Sequence, residues 1–432
     1  MVALFTALFL VMLTLTTALR VWLNLRQRRH VLAHRDTVPP AFADRITPAD
    51  HQKAASYTVA KLRVDLFEMA ADTLLLLAFT IGGLLASFDA FWRARLPDSP
   101  YLYGLALFAS VGLTTFIAGL PFTLWRIFGI EAKFGFNRTT PRLFVIDLMK
   151  QFVLILLIGV PLLLAVLWLM GSMGRHWWLY VWLTWIVFNL LVLLIYPTFI
   201  APLFNEFTPL AEGEIKRRIE ALLERCGFAS SGVFVMDGSK RSTHGNAYFT
   251  GFGKAKRIVF FDTLLDKLAP DEIEAVLAHE LGHHRRHHIA KRIAVMSVIS
   301  LAVLWLLGQL IDQPWFYAGL NVADAMKVGA DGTAPNTALA LILFSLVLPV
   351  FAFPLTPSLS WLSRRHEFEA DAFAAEQSDA KALIAALVKL YRDNAATLTP
   401  DPLHSLFYDS HPPASERIAR LASLSRQELT PC

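Results

Sequence analysis

Cysteine is nearly absent. Two in 432 residues, Cys226 and Cys432, are too few for a thiolate zinc site or a disulfide framework. Charge is scarce as well. Only 17% of the chain is Asp, Glu, Lys or Arg, 55% is hydrophobic, and mean hydropathy is +0.48, whereas soluble proteins carry about 25% charged residues. The apolar excess points to membrane spans. The formal charge of +5 sits beside apolar runs, as the positive-inside rule requires. With no basic–aromatic motif present, no nucleic-acid partner is expected. No Lys or Arg precedes the first apolar run, 2–25, and no small-residue cleavage site follows it. The run therefore reads as a true span with its N-terminus outside the cytoplasm, not as a cleaved signal peptide. Internal repeats and low-complexity segments are also missing.

What the chain has is long apolar runs. After 2–25 they lie at 66–88, 101–125, 145–170, 177–201, 292–312 and 337–361. Each supplies the roughly 20 residues that cross a hydrocarbon core, which makes seven spans. Arg35, Arg45, Lys53, Lys61 and Arg63 lie between the first two runs, and Arg126, Lys133, Arg138 and Arg142 between the third and fourth. The segment 202–291 and the C-terminal tail are also rich in Lys and Arg, and all of these fall on one side, which is then cytoplasmic. The opposite connections are poorer in cations: Arg93 and Arg95, Arg175, and Lys327 among Asp312, Asp324 and Asp331. Pro121, Pro161, Pro197 and Pro349 lie within or near runs and should kink helices.

Outside the membrane, 212–225 has helical periodicity. Residues 233–236, 246–251 and 257–261 read as short strands, with a turn at 251–254. Pro270 opens a helix with Asp271 and Glu272 in its first turn, where carboxylates favour the dipole. Further helices are expected near 379–396 and 413–424.

The Pro270 helix runs into Ala278-His279-Glu280-Leu281-Gly282-His283. Helical residues four apart lie about 40° from eclipsed, so His279 and His283 share a face and can bind one Zn²⁺. Glu280 falls beside the metal without occupying it, where a general base for the attacking water belongs. A catalytic zinc needs a third protein ligand. The metzincin extension fails, because its Gly falls at Arg286 and its third His at Ile289. His284 points away by about 100°. His287 continues the helical series a turn too far. The cluster 284–288 reads instead as a solvated or headgroup-facing helix end. Glu367, just after the last span, is the better third donor, and Asp371 one turn later could bond a ligand imidazole. On composition alone, these two carboxylates read as exposed helix acids paired with Arg364 or Arg365.

Several dispersed motifs occur in one order: Phe134-Gly135-Phe136-Asn137-Arg138-Thr139-Thr140, Ala201-Pro202-Leu203-Phe204-Asn205 and Gly245-Asn246-Ala247-Tyr248-Phe249. They are followed by the His279 motif, Ser363-Arg364-Arg365 with Glu367 and Asp371, and His411-Pro412-Pro413 with Glu416-Arg417. Over nearly its whole length the chain resembles the integral-membrane CAAX prenyl proteases, a-factor-converting zinc metalloproteases. That resemblance implies a predominantly α membrane protein, with seven kinked helices around an enclosed, water-filled chamber and a cytoplasmic α+β zinc metalloprotease domain. It implies one Zn²⁺ per chain on His279, His283 and Glu367, with Glu280 activating the water. Asn246, Ala247 and Tyr248 would bind substrate on an edge strand, by β-augmentation. His411 and Arg417 would hydrogen-bond the peptide carbonyl and the oxyanion; without the resemblance they read as a capping His and a surface Arg.

The expected organisation is five spans in 1–204, a metalloprotease segment in 205–291, two spans in 292–361 and a helical completion of the protease domain in 362–432. The resemblance implies a peptide or protein substrate that carries a prenyl group, in contact with membrane lipid, and the enzyme is expected to be a monomer. The short connections and compact tail favour a bacterial inner membrane over the endoplasmic reticulum. Two competing readings are a membrane quality-control protease of the HtpX type and an idle zinc-binding scaffold. The spans before residue 145 argue against the first, and Glu280 against the second, since a structural zinc needs no base.

Overall fold

The structure, a computed structural model, describes residues 1–250, 256–322 and 336–427. The expected turn at 251–254, Lys327, Asp324, Asp331 and Cys432 fall outside the described residues. Helices Val2–Ala33, Pro100–Phe134, Pro141–Ser172, Gly174–Phe204, His288–Leu310 and Thr337–Gln377 are each long and apolar enough to cross a membrane. A seventh crossing is Pro48–Phe79 joined to Leu84–Arg95 at a 48° bend. Gly82 and Gly83 make that bend. Gly83 has φ +74, a left-handed conformation, and a Cβ on Gly82 would stand 2.9 Å from the Ala78 backbone.

The bent pair must count as one crossing. Phe42 and Ile46, between the first and second spans, pack against Leu398, Ala414 and Ile418 of the tail. Phe136, between the third and fourth spans, packs in a cluster with Ala395 of the same tail. Both connections therefore lie at one end of the molecule, so the bent pair and the third span together must cross twice.

The prolines act where expected, but mostly through π-helical turns. Pro197 lies inside one, Tyr196–Ile200, and Pro161 follows another, Ile155–Gly159. Pro121 precedes a third, Trp125–Glu131. Proline lacks an N–H and clashes with the carbonyl four residues back, and a widened turn relieves both defects. The third, fourth and sixth spans each bury only 6% of their most apolar window. A helix in a solid bundle would bury a whole face. So little burial leaves these helices open on more than one side, as spans set around an enclosed chamber would be. A cavity of about 620 Å³ lies between the first two spans and the tail, reached by Asn24, Lys61 and Asp72 and by His404 and His411.

Beyond the membrane, strands β1 (Phe207–Pro209), β2 (Val233–Met236), β3 (Ala247–Thr250) and β4 (Arg257–Phe261) form one sheet in the order β1-β2-β4-β3. Only β2–β4 is parallel. Strand β1 was not expected: three residues ending in proline carry no alternation, and pairing with β2 alone makes them a strand. The same holds for helix Pro402–Tyr408, which Asp401 caps by accepting from the N–H groups of Leu403 and His404. Asp401 also takes both bonds from Arg26, at 2.9 Å, and so ties the tail to the first span.

One apolar core joins this sheet to helices from both sides of the last two spans. Ile219 and Leu222 from Glu214–Arg225, Phe260 from β4, Leu277 and Leu281 from Pro270–Arg285, and Leu383 and Leu421 from the tail all meet there. Each such fully buried side chain contributes about 1.5–3 kcal/mol. Segments separated by two membrane crossings thus share one core.

Candidate metal centre

Helix Pro270–Arg285 starts firmly. Pro270 occupies its first turn, and buried Glu272 accepts from the Ala269 N–H and from Lys389, both at 2.7 Å. Its far end lies directly on helix Thr356–Gln377, the extension of the seventh span. Gly282 permits that contact, since a Cβ there would stand 2.9 and 3.0 Å from Cα and O of Ala370. These are backbone atoms and cannot rotate aside. Gly282→Ala should therefore force the helices apart, cost roughly 1–3 kcal/mol by overpacking, and lower both Tm and bound metal. Unchanged melting and metal content together would refute so close a packing.

The contact brings three donors together. His279 Nε2 and His283 Nε2 are 3.2 Å apart. Glu367 Oε2 lies 3.4 Å from the first and Oε1 3.3 Å from the second. Among the described residues these three form the one group able to hold a metal. The spacing suits zinc: the two imidazole nitrogens stand close to the edge of about 3.3 Å of a tetrahedron with bonds of about 2.0 Å, and the carboxylate presents one oxygen to each of them. Glu367 Oε2 is also buried without a hydrogen-bond partner among the described residues, which a cation would satisfy. The pairing of Glu367 with Arg364 or Arg365 that composition favours is not found. Arg364 donates to the carbonyls of Ser405 and Asp409, at 3.0 and 2.9 Å, and Arg365 to Glu369 at 3.1 Å.

Asp371, 1% exposed, puts Oδ1 2.9 Å from His279 Nδ1. Burial opposes a charge on His279, but Asp371 and Glu367 outweigh it and hold its pKa at about 9. The same carboxylates favour any cation placed there. Arg417 is buried and bidentate to Asp371, at 2.9 and 2.6 Å, with Nη1 3.8 Å from Glu367. Its sequence reading as a surface Arg fails, because the last helix, Ala414–Gln427, packs against Thr356–Gln377. His411 stays exposed to the cavity, with Nε2 3.6 Å from Glu367 Oε2. Glu280 takes no hydrogen bond among the described residues. Burial raises its pKa, against the pull of His279 and His283.

The expected solvated helix end at 284–288 holds for Arg285, Arg286 and His287, which are exposed, but not for His288. The helix breaks at His287, whose φ of +56 is left-handed, and His288 is 4% exposed. His284 meets the Phe228 ring edge-on at 4.8 Å. Extending one continuous helix cannot foresee this, since it would set His288 about 140° away from His283.

Strand β3 packs on the motif helix and, among the described residues, is an edge strand of the sheet. Asn246 immediately precedes it and accepts from the Phe261 N–H at 3.0 Å. Alternation from that bond turns the backbone of Tyr248 inward, opposite Val259, and that of Ala247 and Phe249 outward. The Ala247 N–H is taken by Asn246 Oδ1 at 2.9 Å. Phe249, the last residue of the motif that begins at Gly245, thus offers both backbone groups on the open edge.

Residues 27–206 match a family model described as CAAX prenyl protease N-terminal, five membrane helices, and residues 209–425 match peptidase family M48. The chain is 34% identical to the CAAX prenyl protease 1 homolog of Arabidopsis thaliana, over 88% of this chain and 89% of the relative. It is 32% identical to CAAX prenyl protease 1 of Saccharomyces cerevisiae, over 90% of each. The human CAAX prenyl protease 1 homolog is 32% identical, over 93% and 92%. Among solved structures, S. mikatae Ste24p superposes with a TM-score of 0.87 at 30% identity, covering 96% of this chain and 99% of that one.

Proposed function

The chain belongs to the CAAX prenyl proteases of peptidase family M48 and is a multi-pass membrane metalloprotease; from that premise we propose that it cleaves an extended peptide laid along β3, near the C-terminus of prenylated CAAX-type substrates. The observation that carries this reading is the cluster of His279, His283 and Glu367, with Glu280 beside it and a free strand edge on the same helix. These three residues would hold one zinc ion per chain. When bound, zinc supplies Lewis acidity toward a carbonyl oxygen and toward water.

The protein's own groups do the rest. Phe249 and the Ala247 carbonyl align the peptide backbone, supported by Asn246 and Tyr248, which hold the strand to β4. Glu280 removes a proton from the attacking water and delivers it to the leaving amine. His411, facing the cavity, donates to the oxyanion. Arg417 instead fixes Asp371, which orients His279; that pairing favours His411 as the main oxyanion donor. The protease domain is then the union of 205–291 and 362–432. The apolar chamber walls suit a prenyl chain and adjoining lipid, and the reading is of a monomer.

The basic connections support a cytoplasmic site, and their brevity a bacterial inner membrane. The match of residues 27–206 to five membrane helices accounts for the early spans, which an HtpX-type reading leaves unexplained. Incubation with prenylated and unprenylated CAAX peptides and an unrelated unfolded peptide, followed by product sequencing, tests the substrate. Preferred cleavage of the prenylated peptide near its C-terminus is expected; equal cleavage of all three would refute the substrate assignment.

A further inference from the structure

The ligand-type histidines are held unequally. His279 has a carboxylate, Asp371, on its Nδ1. The Nδ1 of His283 instead meets another imidazole, with His288 Nδ1 3.0 Å away. On its other side, His288 Nε2 lies 3.1 Å from Glu369 Oε2. The left-handed His287 folds His288 back to this place, and His366 stacks on its ring at 4.1 Å. Arg365 anchors the far oxygen of Glu369 at 3.1 Å.

The direction of these bonds follows from donor counting. A carboxylate only accepts, so His288 Nε2 carries the proton it shares with Glu369. The Nδ1 of neutral His288 is then an acceptor, and His283 Nδ1 must be the donor. That tautomer leaves the lone pair of His283 on Nε2, facing His279 and Glu367.

We propose that His288 and Glu369 are positioning residues that set the tautomer and ring orientation of His283, doing through one extra imidazole what Asp371 does directly for His279. The inference rests on the metal reading of His283 given above. Outer partners of this kind are worth roughly 10–100-fold in metal affinity.

The test uses the full chain in detergent, with zinc affinity measured by chelator competition and the Co²⁺ absorption spectrum as a report on ligand geometry. His288→Leu keeps bulk but removes the acceptor, and should weaken zinc roughly 10–100-fold and alter the Co²⁺ spectrum. In His288→Asn an amide oxygen stands near the Nδ1 position, so affinity should partly return. A packing role alone predicts the reverse order, with Leu near the parent and Asn impaired. Glu369→Ala, at a partly exposed position, should weaken zinc in the same direction and carries the test if His288→Leu does not fold. Parent-like affinity and spectrum in the folded variants would overturn the proposal. His283→Ala separates the two readings: if that variant also binds zinc like the parent, the metal assignment itself fails.

Discussion

Replacing Glu280 by Gln should leave zinc bound and lower peptide hydrolysis by roughly 10²–10⁴-fold, the range that general acid–base groups contribute. The side chain is close in size to the original and is bonded to nothing among the described residues, so folding should be spared. What is lost is the basic oxygen. Burial raises the Glu280 pKa, with His279 and His283 pulling the other way. A carboxylate tuned upward takes a proton from water more readily than an ordinary one and can still return it to the leaving amine. Zinc content and turnover should be measured on the same sample. Retained zinc with full turnover would remove Glu280 from the mechanism, and lost zinc would make it part of the metal site.

Glu367→Ala should empty the site. It removes one of three donors, so the loss of affinity should exceed the roughly 10–100-fold that an outer partner costs, and cleavage should disappear with the metal. The variant also withdraws a buried carboxylate on which His279, His283 and, more distantly, Arg417 rely. A melting curve recorded without zinc will separate that structural loss from the loss of metal. Unchanged zinc stoichiometry in a folded variant would exclude Glu367 as a ligand.

The sequence by itself determined the parts whose physics is local. Seven apolar runs needed only length and hydropathy, because lipid forces each backbone to satisfy itself within its own helix. The motif helix was readable from Pro270, its acidic first turn and the four-residue spacing of His279 and His283. β2 and β4 were readable as apolar runs between turns. The tertiary structure decided what depends on partners far along the chain. β1 exists because β2 is beside it. Glu367 leaves its neighbouring arginines for the two histidines because Gly282 lets two helix backbones touch. Arg417, which composition would put on the surface, is buried because Asp371 can take both its bonds. His288 reaches His283 only through a break at a single left-handed residue, and one dihedral of that kind leaves no periodic trace in the sequence.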